Sequence, residues 1–596
     1  MNNEFLLSLY SSGQYQQACS CANELINASP RNHFAMEIAG LALLQLEQFD
    51  KALVLLNQAA SLQPKNPDYQ HNIAVACRGA EKYDEAVLRL KKLIKKNKRY
   101  APAYNTLGTV YSALGDRDKA IRAFKKSLSL QPDLMDARFN LAREYNEAGE
   151  YDISLKHALS LYAANSDEDL KLLIVNNYLS IKDYKSAEKF SCGDTTLLLH
   201  VARHYESKSL LDQALAVLNY LPENKVSGEA LLLKAIVHRR QGDVEQARIC
   251  LECLHEDGGE SLENKASLYY ELGRIYDILG MYGRSIECYT EANSIEQSYS
   301  QSTANSDGFL GHVTSWISLL QATGYTDYPV LTDNEDEGET PLFMVGFPRS
   351  GTTLLDQVID SHSGFSVMEE YPIIGEVIKE AIRLTGRKYP ALLPCLDKKT
   401  VLHLRSFYHR QVNSRFKRAA GTTLVDKLPL NIVEVLLIHV LFPRARFVFS
   451  LRHPYDVCLS NFMQHFEDNA AMNNFRSLEG CAETYNKVMR LWNDYCAFIP
   501  GLMVHTVKYE ALVDDLENES RKLFSFLGVE WEGKVLDFHR HAKTRKKLAT
   551  PSYQQVTRPI YSSSKYRWKN YQRYIERPFS PIDGFVRQFG YDVVGE

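Results

Sequence analysis

The hydrophobic and polar positions of this chain follow two different rhythms. Over the first half, small and large apolar residues recur with a 34-residue period. Leu107, Gly108, Tyr111, Ala120, Phe124 and Pro132 stand two periods after Ala39, Gly40, Leu43, Ala52, Leu56 and Pro64. The unit between them supplies Ile73, Ala74, Cys77, Ala86 and Leu90, and the following one Leu141, Ala142, Tyr145, Ser154 and Ala158. A pair of antiparallel helices per unit accounts for the spacing. Gly, Ala or Ser sits where two backbones approach, Leu, Tyr or Phe fills the space beside them, and Pro ends the second helix. After residue 340 the pattern becomes apolar run, then helical stretch, at residues 342–346, 446–450 and 502–506. Alternation of that kind predicts a parallel sheet.

The repeating units resemble the tetratricopeptide repeat (TPR) family. Leu272, Gly273, Tyr276, Ser285 and Tyr289 form another clear unit, and weaker ones lie between residues 168 and 258. The expectation is an all-α TPR superhelical solenoid over residues 1–300, followed by an α/β domain over residues 341–596. The solenoid's concave face would be a groove for a peptide or protein; a rigid spacer or a homodimer surface is the alternative. Residues 301–340 read as a connecting helix and acidic linker. They hold a Gln-Ser-Thr-Ala-Asn-Ser-Asp stretch and Asp333, Glu335, Asp336, Glu337 and Glu339, too polar to build a core.

Composition narrows the function classes. A chain of 596 residues, 45% hydrophobic and 24% charged, folds, and is too long for one core. A net charge of −4, from 69 basic and 73 acidic residues, argues against a nucleic-acid binder, so any anion site must be local. The start, Met1 to Leu9, has neither the cationic region of a signal peptide nor the length of a membrane segment, and a cytoplasmic protein is expected. The 11 Cys are scattered as reduced thiols are. Cys250, Cys253 and His255 make half a zinc site with no second pair, so no metal is expected.

The candidate chemistry begins at Gly346-Phe-Pro-Arg349-Ser350-Gly351-Thr352-Thr353, between an apolar strand and an apolar helix. Gly351 lets backbone N–H groups converge on oxygens, and Thr352 and Thr353 open a helix whose positive end faces an anion. A nucleoside-triphosphatase loop requires Lys before its Ser or Thr; Thr352 stands there, with Arg349 earlier. Kinase or ATPase chemistry is therefore disfavoured.

Residues 348–353 resemble the 5′-phosphosulfate loop of sulfotransferases, and later matches extend the resemblance over residues 341–590, closest to the tyrosylprotein sulfotransferases and their bacterial relatives. The resemblance implies a P-loop-like three-layer fold and 3′-phosphoadenosine 5′-phosphosulfate (PAPS) as sulfuryl donor, without a catalytic metal. It implies that Ser350, Gly351, Thr352 and Thr353 line the donor and that Arg452 and Ser460 hold its 3′-phosphate. A guanidinium fork and a hydroxyl near a helix start suit a dianion independently of the family. Glu369 and Glu370 fall where the family has its catalytic base, the register favouring Glu370. Lys427 matches a Lys that steadies the transferring sulfonate, with Arg349 sharing that work.

From Arg540 to Arg577 there are eleven Lys or Arg against Glu576 alone, an anion-facing bias. Within it, Ser552 and Arg567 occupy the family positions of a Ser and a basic residue that approach the donor. Tyr509 matches a nucleotide-contacting Tyr, or packs. The implied activity is PAPS-dependent transfer to a hydroxyl, protein tyrosine first. Carbohydrate or small-molecule acceptors, a nucleotide-binding TPR adaptor without turnover, and a P-loop kinase are the alternatives.

Overall fold

The computed structural model describes residues 2–163, 167–221, 227–257, 262–299, 306–331, 339–540 and 564–594. It divides into two compact units, Met1–Gln241 and Gly242–Glu596.

The first unit is a succession of antiparallel helix pairs, of which Ala101–Ala113 with Arg117–Leu130 is representative. The turn between them uses Gly115 at φ +75°, and Asp116 caps the second helix by accepting from the Lys119 N–H at 3.2 Å. Ala120, Ala123, Phe124 and Ser127 form the buried stripe of that helix, which ends at Leu130 with Gln131 as its cap, just before Pro132. The small residue of each unit has a steric cause. A Cβ on Gly108 would lie 2.5 Å from the Phe124 ring. Gly108→Val is therefore expected to destabilise this unit by about 1–3 kcal/mol, overpacking outweighing the gain over Gly in helix propensity. A fall in the helical unfolding midpoint measures it.

The second unit contains a five-stranded parallel sheet of order β2-β3-β1-β4-β5: β1 Leu342–Gly346, β2 Phe365–Glu369, β3 Thr423–Lys427, β4 Arg446–Leu451 and β5 Met503–Lys508. Alternation along the strands builds two cores. Leu342 and Met344 of β1 pack with the helices Thr352–Asp360 and Leu516–Leu527. Phe343 and Val345 face the opposite layer, which includes the helices Lys398–Arg415 and Leu478–Phe498. The expected three-layer arrangement is thus present. Strands β2 and β3 were not among the three apolar runs read from the sequence. Each is short, and β3 ends in Asp426 and Lys427, charges that the fold nonetheless buries.

The repeat periodicity and the packing divide the chain at different points. The helices Leu262–Ile278 and Tyr282–Tyr299, which carry the unit around Gly273, lie within the second unit and contribute Tyr270 and Tyr289 to its core. The stretch 301–340 contains a helix, as expected, but not one too polar to join a core. Its helix Ser306–Ala322 inserts Val313, Trp316 and Leu320 into the same core, and Tyr328 and Leu331 follow. The polar residues at either end of the stretch masked this apolar stripe. The acidic run at 333–337 lies outside the described residues. Among the described residues, no helix is long and apolar enough to cross a membrane.

Candidate active site

Every strand of the parallel sheet ends at, or shortly before, a residue with candidate chemistry. The connections from β1 and β4 leave in opposite directions along the sheet, which opens a crevice between their C-terminal ends, the usual ligand position in such folds. On the β1 side the loop turns tightly: the Ser350 N–H donates to the Phe347 carbonyl at 3.2 Å, and Arg349 and Gly351 both adopt left-handed backbone, at φ +67° and +97°. Gly351 is required twice over, by its φ and because a Cβ there would lie 2.6 Å from the Tyr509 ring. The ring of Tyr509, at the end of β5, therefore covers the loop. Thr352 and Thr353 open the helix Thr352–Asp360 and are buried.

Across the crevice stand Arg452, just after β4, and Ser460, on the helix Pro454–Phe462. The two sides are already joined. Arg349 Nε donates to Ser460 Oγ at 3.1 Å, Asn461 donates to the Pro348 carbonyl at 2.9 Å, and Arg452 donates to the Arg349 carbonyl at 3.3 Å. The Arg452 guanidinium lies 5.1 Å from the Tyr509 ring centre, donates to the Ser564 carbonyl at 2.6 Å and stands 3.7 Å from Asp456. Burial pushes the Asp456 carboxyl above its ordinary range, against the opposing pull of Arg452. Glu510 braces the start of the helix by accepting from the His453 N–H at 3.0 Å and from the Tyr591 hydroxyl at 2.7 Å. Ser350 Oγ and Arg452 Nε are buried without a hydrogen-bond partner among the described residues. Two orphaned donors facing one crevice fit an anionic ligand with oxygens to offer.

A second cluster lies at the ends of β2 and β3. Lys427 has no exposed side-chain surface, and its Nζ sits 2.5 Å from Glu370 Oε1 and 3.3 Å from Asp356 Oδ2. Burial pulls the ammonium's pKa down, but the carboxylates of Asp356 and Glu370 outweigh it and leave the pKa raised. Glu370 takes left-handed backbone, φ +52°, and its N–H donates to the Lys427 carbonyl at 2.7 Å. Its side chain keeps 35% exposure, so one end of the pair reaches solvent. Glu369 accepts from Gln357 at 3.4 Å; it is Glu370 whose carboxylate meets Lys427.

Two residues stand differently from the sequence expectation. Arg567 has its guanidinium on Asp277, with Nη2 at 2.7 Å and Nε at 3.2 Å. Ser552 lies outside the described residues. Sequence reasoning missed Asp356 and Asp277, because each works through a residue far along the chain, and Asp426, whose partner sits on a neighbouring helix. Asp426 accepts from the Tyr408 hydroxyl at 2.8 Å, and burial pushes its carboxyl up to about 7 against that bond's opposing effect. The folded state therefore keeps a proton that the unfolded chain releases from about pH 4 upward, and stability falls as pH rises from about 4 to about 7. Asp426→Asn should remove that component, at most about 1.4 kcal/mol per pH unit. Denaturation of both proteins at about pH 5 and pH 8 measures the difference.

Known proteins provide independent comparisons. Residues 341–533 match the sulfotransferase family, and residues 4–69, 43–109, 101–134 and 266–299 match tetratricopeptide repeat families. An uncharacterized protein of Aquifex aeolicus is 29% identical over 248 residues, 39% of this chain and 31% of that protein. Protein-tyrosine sulfotransferase A of Caenorhabditis elegans is 23% identical over 42% of this chain and 67% of its own length. For the protein-tyrosine sulfotransferase of Drosophila melanogaster the identity is 25%, over 39% and 47%. The matches thus span from under a third to about two thirds of these relatives. Among solved structures, a thermophilic TPR protein of Thermus thermophilus is 26% identical, over 30% of this chain and 96% of its own, with a TM-score of 0.28. The chain joins tetratricopeptide repeats to a domain of the sulfotransferase family.

Proposed function

We propose that this chain is a sulfotransferase that moves a sulfuryl group from PAPS to a hydroxyl, with protein tyrosine as acceptor and the TPR groove as the surface that gathers the peptide. The observation that carries the reading is the crevice between β1 and β4, where an anion loop and Arg452 face each other with two buried donors that have no hydrogen-bond partner among the described residues, beside the Glu370–Lys427 pair. PAPS, when bound, supplies a sulfonate joined to a 5′-phosphate leaving group. Ser350, Gly351, Thr352 and Thr353 would hold that 5′ end through loop amides, hydroxyls and the helix start. Arg452 and Ser460 would take the 3′-phosphate, and the Tyr509 ring, over Gly351, would line the nucleotide.

Glu370 is the base. Its carboxylate takes the acceptor's hydroxyl proton as the new S–O bond forms and the bond from sulfur to the 5′-phosphate breaks, releasing 3′,5′-bisphosphoadenosine (PAP). Lys427 orients Glu370 and, with Arg349, balances the charge that develops on the departing phosphate. A phenol near pKa 10 needs such a base at neutral pH. The nematode and fly relatives, both protein-tyrosine sulfotransferases, support tyrosine as acceptor, and the repeats, a protein-binding type of fold, support a polypeptide substrate.

Radiolabelled PAPS offered with tyrosine peptides and their Phe counterparts tests the reading. Label is expected on the tyrosine peptides alone. Label on a saccharide but on no peptide would overturn the acceptor, and no label on any acceptor would overturn the transfer.

A further inference from the structure

The donor-facing elements of the second unit are held from behind by the helices Leu262–Ile278 and Tyr282–Tyr299, at two points. At the first, Asp277 receives the Arg567 guanidinium on both oxygens, and the Tyr571 hydroxyl donates to the same carboxylate at 2.6 Å. Ser285 Oγ lies 2.9 Å from that hydroxyl. Arg567 opens the short turn Arg567–Tyr571, whose next residue, Trp568, donates its N–H to Asp456 at 2.8 Å. Asp456 faces Arg452 at 3.7 Å, and Arg452 also donates to the carbonyl of Ser564, three residues before Arg567. At the second point, Asn293 donates to the carbonyl of Phe462, the last residue of the helix that carries Ser460, at 3.0 Å.

The repeat pattern gives no reason for an acid at 277. Counting four residues on from the small residue of each unit, the equivalents of Asp277 are Leu44, Arg78, Ser112 and Asn146. Asp277 departs from its repeat where the helix meets the C-terminal segment.

We infer that Asp277 is a positioning residue of the donor site, acting through Arg567; this rests on the reading that Arg452 anchors the donor's 3′-phosphate. The forked Arg567–Asp277 pair fixes residues 564–568, and that backbone holds Arg452 by the Ser564 carbonyl and Asp456 by the Trp568 N–H. Without Asp277, this segment and Arg452 must be ordered when the donor binds, which weakens affinity. Glu370, just after β2, and Lys427, at the end of β3, stand apart from this segment, so the chemical step is untouched. The terminal repeat is therefore part of the donor site rather than a detachable module.

The test compares the full chain with Asp277→Asn, which keeps an acceptor for Tyr571, with Asp277→Glu, with Arg567→Gln, and with the Asp277→Asn/Arg567→Gln double variant. Calorimetry with PAP and initial rates with PAPS are the readouts. Asp277→Asn is expected to raise the PAP Kd and the PAPS KM about tenfold with kcat within about twofold, and Asp277→Glu to recover most of the loss. The double variant should bind no more weakly than Arg567→Gln alone. Unchanged PAP affinity in Asp277→Asn, additive losses in the double variant, or a fall in kcat at constant KM would each overturn the inference. A wild-type chain that binds no PAP would instead sink the donor reading on which it rests.

Discussion

Glu370→Gln is expected to lower kcat by about 10³-fold while PAP affinity stays within about twofold. Gln has the same size and still offers an oxygen to Lys427, so the fold and the loop are unaffected. What disappears is the group able to take the acceptor's proton. Position separates Glu370 from Lys427 and Asp356: these two have no exposed side-chain surface, whereas Glu370 keeps 35% exposure. Rate and affinity must therefore separate in this variant. Turnover at the wild-type rate would remove Glu370 as base, and a parallel fall in PAP affinity would make it part of the donor grip instead.

Arg452→Ala should produce the opposite split, weakening PAP by about 2–3 kcal/mol, close to a hundredfold. Arg452 is 9% exposed and its Nε lacks a hydrogen-bond partner among the described residues, while its other nitrogens reach the Arg349 and Ser564 carbonyls. Truncation removes the charge proposed to meet the 3′-phosphate, the cation over Tyr509 and a tie to the loop together. Arg452→Lys should recover only part of the loss, because an ammonium cannot hold the fork that spans these partners. Titration of the three proteins with PAP gives the ranking, and equal affinities would contradict it.

Much of this architecture was legible because it depends on local chemistry. The 34-residue period is written in residues such as Gly108 and Phe124, whose sizes must match at a helix contact. The β1 loop is written in Arg349 and Gly351, which its turn sets in left-handed backbone. Arg452 follows the apolar run of β4, whereas Ser460, well inside the next helix, and Lys427, at the end of the unread strand β3, were expected only through the family resemblance. What the sequence hid depends on distant partners. Glu370 and Lys427 are 57 residues apart, and the choice between Glu369 and Glu370 needed the turn at φ +52° that brings one carboxylate to Lys427. Arg567 and Asp277 are 290 residues apart, so a basic residue that composition assigns to an anion is found on a carboxylate. Trp316 was hidden for another reason: polar neighbours on both sides made its helix look like a linker, although one apolar stripe suffices to bury it.

Calorimetric titration of the purified full-length chain with PAP tests the central claim most directly. One saturable site, weakened about a hundredfold in Arg452→Ala and kept within about twofold in Glu370→Gln, is the predicted result. Absence of heat with the wild-type chain, under conditions where it is folded, would contradict the account.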